Sequence, residues 1–343
     1  MDASIATSLV RSILHTFDPA LELLGAARPG HGLVSQVLFL ETSQAELVLK
    51  LFDDDAAAWK PQKEAALFAA MRALGIPVPV VLAVDTSKGV APFTWSLSER
   101  IDGDVFADVV DALVEDENSC IYRQLGDHLG TMHATTFPLF GDISGDAGDL
   151  VVGPAHDLDR DDLGRLQGPF GRWQDMHRVV VATRLNLMRD TEFGDLVPRV
   201  EAYFARNENL LGGDIPPRLL HMDLHPGNIM VRNGQIVGLL DVEEAIAGHN
   251  EYDLMRTALA NFRGRPPAYE RAFLDAYTQH VTLDEGYHER KHFYDVSRTL
   301  AWIRSLLLHG AAHSAEQSKQ YRQAARTHLE ALLDADHSRS RKG

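Results

Sequence analysis

A chain of 343 residues exceeds what one hydrophobic core usually serves, and 45% apolar with 24% charged residues is the composition of an ordinary globular protein, neither fibrous nor disordered. The formal net charge of −16 argues against general affinity for nucleic acid or anionic lipid, which need a basic face; a cationic small molecule suits it better, although an acidic surface also serves solubility alone. The one cysteine, Cys120, excludes an internal disulfide or thiolate cluster, and with no apolar run of bilayer length and no leader-like pattern over Met1 to Phe17 a cytoplasmic location is expected.

In chain order, the first hundred residues predict short strands around one main helix. Gly30 to Leu40 (GHGLVSQVLFL) is a glycine-bearing turn running into a strand, and Leu47 to Phe52 is a second strand. Lys60 to Leu74 is helical by pattern, with Leu67, Phe68, Met71 and Leu74 on one stripe, and is ended by Gly75, Pro77 and Pro79. Val80 to Val84 and Phe93 to Ser98 complete a small, mostly antiparallel sheet. Asp102-Gly103 marks the expected boundary between an amino-terminal lobe, 1–103, and a helical lobe, 104–343. In the latter, helices are predicted over Val105 to Leu113, Cys120 to Thr135, Trp173 to Met188, Leu196 to Glu208 and from about Glu251 onward. Gly141 to Gly153 reads as an acidic, glycine-rich connection.

The most informative stretch is Leu219 to Glu244. Asn228 to Arg232 and Gln235 to Leu240 are apolar strands joined by Asn233-Gly234, the dipeptide best suited to a two-residue hairpin turn. With Arg232 facing Gln235, regular pairing sets Asn228 opposite Leu239 and Asp241 one diagonal step away on the same face. An amide oxygen and a carboxylate so placed suit Mg²⁺ at a nucleotide site, with phosphate oxygens and water completing its shell. Asp223 precedes Asn228 on a segment that Pro226-Gly227 prevents from being a helix. A loop carboxylate there can accept the proton of a hydroxyl attacking a γ-phosphate. Each aspartate alone is equally well explained as a turn cap; the joint spacing is what points to chemistry. The four-residue spacing of His221 and His225 also invites a zinc-site reading, but Met222 stands where the base would be and Pro226 denies the helix.

The first lobe supplies matching parts. Backbone groups of Gly30 and Gly32, with the Ser35 hydroxyl, can approach phosphates closely. Lysine is scarce, seven against 26 arginines, so Lys50 inside an apolar strand requires an anionic partner or ligand. Glu64, on the helix face of Phe68 and Met71, points toward the sheet and can be that partner. Its neighbour Lys63 is expected to face solvent.

Taken together, these residues resemble the aminoglycoside phosphotransferase family, small-molecule kinases with a bilobal protein-kinase-like α+β fold. His221 to Val231 (HMDLHPGNIMV) is similar to that family's catalytic loop, Leu239 to Ala245 (LLDVEEA) to its metal-aspartate segment, and Gly248 to Leu254 (GHNEYDL) to the stretch that follows. Lys50, Glu64, Ile76 to Pro79, Leu97 to Gly103 and Leu125 to His133 fall at matching positions upstream. The resemblance implies Asp223 as base, Asn228 and Asp241 as Mg²⁺ ligands, Lys50 on the nucleotide phosphates, and the base of ATP or GTP at backbone groups of Glu99 and Ile101. It implies that Asp253 braces the loop, while His221 and His225 serve as scaffolding. The sequence departs from the family pattern at Met222, at Val242 and at His249-Asn250.

The expected activity is phosphoryl transfer to a hydroxyl of a small molecule. An aminoglycoside or similar cationic antibiotic, held by carboxylates such as Glu243 and Glu244, is the leading acceptor. A metabolic alcohol such as choline, ethanolamine, homoserine or a sugar-like molecule is the alternative, and a non-catalytic nucleotide-binding module the rival of a different class.

Overall fold

Alternation along one strand decides where the amino-terminal sheet puts the ammonium of Lys50. In the computed structural model, which describes residues 7–29, 36–52, 59–146, 149–309 and 314–340, helix α1 (Thr7–Phe17) precedes strands β1 (Leu23–Ala27), β2 (Gln36–Thr42) and β3 (Glu46–Phe52). Helix α2 (Lys60–Ala73) and strands β4 (Val81–Asp85) and β5 (Thr94–Glu99) follow. The strands form one antiparallel sheet in the order β1-β2-β3-β5-β4. Leu47, Leu49 and Leu51 of β3 are buried in a cluster with Val10, Ile13 and Leu14 of α1. Period two therefore turns Lys50 to the opposite face, where α2 lies.

The remainder is mainly helical. Strand β6 (Asp104–Val105) leads into α3 (Phe106–Val109) and α4 (Glu115–Ala134), then a hairpin of β7 (Gly141–Asp146) and β8 (Asp149–Gly153), then α5 (Trp173–Met188) and α6 (Val197–Asn207). After β9 (Arg218–Leu220) come a 3-10 turn over Pro226–Asn228, β10 (Ile229–Arg232), β11 (Gln235–Leu239) and β12 (Ile246–Gly248). Helices α7 (Asn250–Asn261), α8 (Pro267–Tyr277), α9 (Tyr287–His309) and α10 (Ala315–Ser340) close the chain. This is the expected α+β arrangement, an antiparallel sheet followed by a helical region. No described helix is long and apolar enough to cross a membrane.

The two regions share a core. Leu67, Phe68 and Met71 of α2 cluster with Tyr122, Leu125 and Leu129 of α4 and with Ile229 and Leu239 of the β10-β11 hairpin. Helix α2 thus packs against both halves of the molecule and transmits the position of one to the other.

Several expectations need correction. The segment after Val105 holds a helix of only four residues, and α4 begins at Glu115 instead of Cys120. Three acidic residues in the first turn of α4 suit the positive end of a helix dipole, and the Glu117 side chain accepts the Val114 N–H, fixing that earlier start. The stretch 141–153 is not a loose connection. It pairs from Asp142↔Gly153 to Asp146↔Asp149 and lies along α2, where a Cβ on Gly145 would come within 2.2 Å of the Ala66 Cβ. Lys63 does not face solvent: it is 2% exposed and its Nζ lies 2.5 Å from Asp142 Oδ1, with the ring of Trp59 5.0 Å away. A buried ammonium persists only beside an anion, and β7 provides it.

Removing one member of this pair strands a charge in the interior, which costs about 3–5 kcal/mol. Lys63→Met alone should therefore destabilise the protein by an amount in that range, whereas Lys63→Met with Asp142→Leu should recover most of it. Denaturant unfolding of the two variants checks this; equal losses would show that the pair is not what holds β7 to α2.

Candidate active site

The segment between β9 and β10 is held open by hydrogen bonds from outside it. The Asp253 carboxylate, fully buried on α7, accepts from the backbone N–H of His221 (2.6 Å) and of Met222 (3.0 Å). It also meets His133 Nε2 of α4 at 3.1 Å, and His133 Nδ1 in turn meets the Tyr277 hydroxyl at 2.9 Å. Burial alone would raise the Asp253 pKa, but the hydrogen bond and charge of His133, with His221, hold it below the usual carboxylate range. The carboxylate stays ionised and works as a two-pronged acceptor for the chain.

The gripped backbone makes the departure at Met222 a strained one. Met222 has φ of 70°, in the region that favours glycine, while its side chain is buried among residues of α5, α6 and α9. The other departures also have structural roles. Val242 is fully buried in the shared core, His249 Nδ1 meets the Tyr294 hydroxyl at 2.6 Å, and Asn250 Nδ2 donates to the Tyr277 hydroxyl.

Beyond Met222 the chain turns outward. His221 is buried, and its Nδ1 accepts the Asp223 N–H at 3.3 Å; burial, against the pull of Asp253 and Asp223, lowers its pKa, so the ring is neutral. His225 Nδ1 accepts the Gly227 N–H and caps the 3-10 turn. The Nδ1 atoms of both histidines thus face the loop's own backbone, His225 Nε2 lies 3.7 Å from Asp223 Oδ2, and no helix presents the two rings jointly to a metal. Asn228 Nδ2 donates to the Asp223 carbonyl (2.9 Å) and to Asp223 Oδ2 (3.3 Å). With the nitrogen so committed, the amide oxygen remains for a cation.

The hairpin differs from regular pairing. Its register runs Arg232↔Gln235 and Val231↔Ile236, but then Met230↔Gly238 and Ile229↔Leu239. The bulge adds one residue to β11, so Asn228 faces Leu240, whose N–H it accepts at 2.8 Å, and not Leu239 as even alternation requires. Asp241 follows at once with φ of 58°, a turn that sends its carboxylate toward the amino-terminal sheet.

There it meets Lys50. The Lys50 Nζ lies 3.1 Å from Glu64 Oε1, 3.3 Å from Asp241 Oδ1 and 3.8 Å from Glu243 Oε2. Burial would lower the lysine pKa, but Glu64, Asp241 and Glu243 together outweigh it, so the ammonium is retained. Glu243 also binds Lys60 Nζ at 2.9 Å and is therefore turned toward α2. Glu244 is more open to solvent, and burial of its inner part, reinforced by Asp157, raises its pKa to about 7.

At the end of β5, Glu99 donates its backbone N–H to the Val80 carbonyl, and Ile101 lies over Gly238, where a Cβ would sit 2.3 Å from Ile101 Cδ1. Gly32 and Ser35 lie outside the described residues. Sequence reasoning missed the basic side chains beside Asp223. Arg256 Nη2 is 3.7 Å from Asp223 Oδ1; it lies three residues after Asp253 on α7, so the helical spacing that aims Asp253 at the loop was a usable signal for it.

A loop carboxylate bonded to an asparagine, a second carboxylate beyond a short hairpin and a lysine paired with a helix glutamate define a kinase-like phosphotransferase arrangement. The sequence profile of the phosphotransferase enzyme family matches residues 26–293, and the chain belongs to that family. Among solved structures it is similar to a candidate fructosamine-3-kinase from Thermobifida fusca YX-ER1, at 21% identity over 94% of this chain and 99% of that one, with a TM-score of 0.65. It is also similar to aminoglycoside phosphotransferase APH(4)-Ia, at 16% identity over 96% and 99% of the two chains, TM-score 0.66. A thermostable mutant of the latter, in ternary complex with AMP-PNP and hygromycin B, gives 15% identity over 95% and 98%, TM-score 0.67. No curated protein matches it significantly.

The left-handed backbone at Met222 costs a side-chain-bearing residue about 1–2 kcal/mol. Met222→Gly relieves that strain and Met222→Ala keeps it, while both lose similar packing. After the larger unfolded-state entropy of glycine is deducted, the glycine variant should be the more stable by about 0.5–1 kcal/mol in chemical denaturation. A more stable alanine variant would contradict a strained position 222.

Proposed function

We propose that the protein transfers the γ-phosphate of ATP or GTP to a hydroxyl of a small molecule, with Asp223 as the base. The observation that carries this reading is the linkage of the two halves. Asp223 and Asn228 are bonded to each other on the loop, and Asp241, next along from the residue that Asn228 faces, is bonded to the lysine of the sheet.

Asn228 and Asp241 would hold Mg²⁺. Their donors are oxygens, as that ion requires: the Asn228 nitrogen is occupied by Asp223, and the Asp241 side chain is 41% exposed with Lys50 as its partner. When bound, the ion offsets charge on the phosphate oxygens. Lys50, held by Glu64, would bind the phosphates; Gly32 and Ser35 would approach them by backbone and hydroxyl, and Glu99 and Ile101 would take the nucleotide base. Asp223 then accepts the proton of the attacking hydroxyl while its own carbonyl keeps Asn228 oriented. Asp253, His221 and His225 hold the loop's shape and do not touch reactants.

The acceptor follows less directly. An aminoglycoside-like cation draws on Glu244, since Glu243 is taken up by Lys60 and Lys50; a metabolic alcohol is served by the same transfer centre.

Asp223→Ala should lower nucleotide turnover by about 10²–10⁴-fold, the range for a lost general base, with Mg²⁺-nucleotide affinity within a few-fold of the parent. Asp241→Ala should instead weaken nucleotide binding in Mg²⁺ by about tenfold or more and leave binding in EDTA nearly unchanged. Calorimetry with a coupled ADP assay separates the two. An active Asp223→Ala variant would sink the base assignment.

A further inference from the structure

In a chain with 49 acidic and 33 basic residues, surface arginines have carboxylate partners in abundance. Arg178, Arg189, Arg199, Arg232, Arg322 and Arg326 all make such pairs. Three arginines on α5, α7 and α9 are arranged differently. Arg184 of α5 donates through Nη2 to the Tyr252 hydroxyl (2.8 Å) and through Nη1 to the Ser297 carbonyl (3.0 Å), which ties the three helices together. Arg256 lies one turn beyond Tyr252 on the same face of α7, and Arg298 adjoins Ser297 on α9. Among the described residues, neither Arg184 nor Arg298 has a carboxylate within ion-pair distance, and Arg256 has only Asp223, at 3.7 Å.

The guanidinium of Arg298 carries the cost of this arrangement. Burial lowers its pKa, repulsion from Arg256 and Arg184 adds to that, and Tyr252 and Asp223 oppose it. Asp295, one turn earlier on α9, is close enough to feel Arg298 but makes no ion pair with it. Glu244 feels Arg256 in the same way. Like charges gathered in a partly buried place with a single ion pair among them are unfavourable unless a further anion completes them.

The position of the cluster decides which anion. The charges that surround Lys50 are Glu64, Asp241 and Glu243, whereas the carboxylate common to Arg256 and Arg298 is Asp223. Arg256 and Arg298 therefore lie by the carboxylate proposed to receive the acceptor's proton, not by the lysine proposed to hold the nucleotide, with Arg184 behind them on Tyr252 and Ser297.

We propose that Arg256 and Arg298, with the charge of Arg184 behind them, bind an anionic group of the acceptor, so that the substrate is a hydroxyl-bearing acid, either a carboxylate or a phosphate monoester. Planar guanidinium groups match both by paired N–H donors. This rests on the phosphotransferase reading above and narrows its acceptor. A neutral alcohol would leave the cluster uncompensated, and a polycation would be repelled by it.

The test uses matched acceptors with Mg²⁺ and ATP, followed by ADP release and by mass gain of the product. Gluconate and glucose 6-phosphate represent the two acid classes, glucose their neutral counterpart, and kanamycin the polycation. At least one acid should exceed glucose and kanamycin in kcat/KM by tenfold or more, and which acid does so separates a carboxylate site from a phosphate site. For that acid, Arg298→Gln should raise KM at least tenfold with a smaller change in kcat and little change in the KM for ATP, while Arg298→Lys should recover part of the loss. Thermal melting of both variants confirms that they fold. Transfer to glucose or kanamycin as good as to either acid would overturn the proposal and leave the phosphotransferase reading standing. So would Mg²⁺-ATP binding with no transfer to either acid, or an Arg298→Gln defect confined to ATP. Absence of both transfer and Mg²⁺-ATP binding would overturn the two together.

Discussion

The Lys50 ammonium lies within 4 Å of three carboxylates that come from two different parts of the chain, Glu64 on α2 and Asp241 and Glu243 after β11. Such a group is stable inside the protein only while those carboxylates remain in place, so the sheet, the helix and the end of the hairpin are tied to one another through a single charge. Three carboxylates around one lysine also leave the site with more negative charge than it can balance. A cation at Asp241 would relieve part of that imbalance, and only with it in place would Lys50 be free to meet anionic phosphates. The same residues thus join the two halves of the molecule and form the centre proposed above for a metal and a nucleotide.

Two further buried ionic contacts give that centre a fixed frame. Lys63, next to Glu64 on α2, fastens the helix to the β7-β8 hairpin through Asp142, and the helix cannot swing without breaking the pair. Asp253 grips the backbone ahead of Asp223 and forces the turn at Met222. Each sets the position of a residue that the proposed reaction uses, Glu64 on α2 in one case and Asp223 on the loop in the other. The neutral, buried His221 is consistent with this division of labour, since it supports the loop by accepting a backbone hydrogen bond and carries no charge into the site.

The local structure around the candidate site was readable from sequence because it rests on short-range signals. Asn233-Gly234 fixed a hairpin, Pro226-Gly227 forbade a helix around Asp223, and the apolar setting of Lys50 called for Glu64; each pattern acts over a few residues. The bulge between Val231 and Met230 was not readable, because counting by twos assumes that neither strand carries an extra residue. Lys63 was misread for a related reason. It stands four residues before the buried Leu67, but α2 was treated as having one apolar face against the sheet, and its second covering came from a stretch whose glycines and acids resemble a loop. The arginines near Asp223 come from α5, α7 and α9 and meet only in the folded chain, so no spacing in the sequence could assemble all three.

A structure of this kind could also serve as a nucleotide-binding module without turnover. The measurement that separates that from catalysis is incubation with Mg²⁺ and γ-labelled ATP over a pool of hydroxyl-bearing small molecules, with every labelled product identified by mass. A phosphotransferase built around Asp223 yields a phosphorylated acceptor in step with ADP. Tight binding of Mg²⁺-ATP with no labelled product, or with inorganic phosphate alone across acceptors of every charge class, would contradict it.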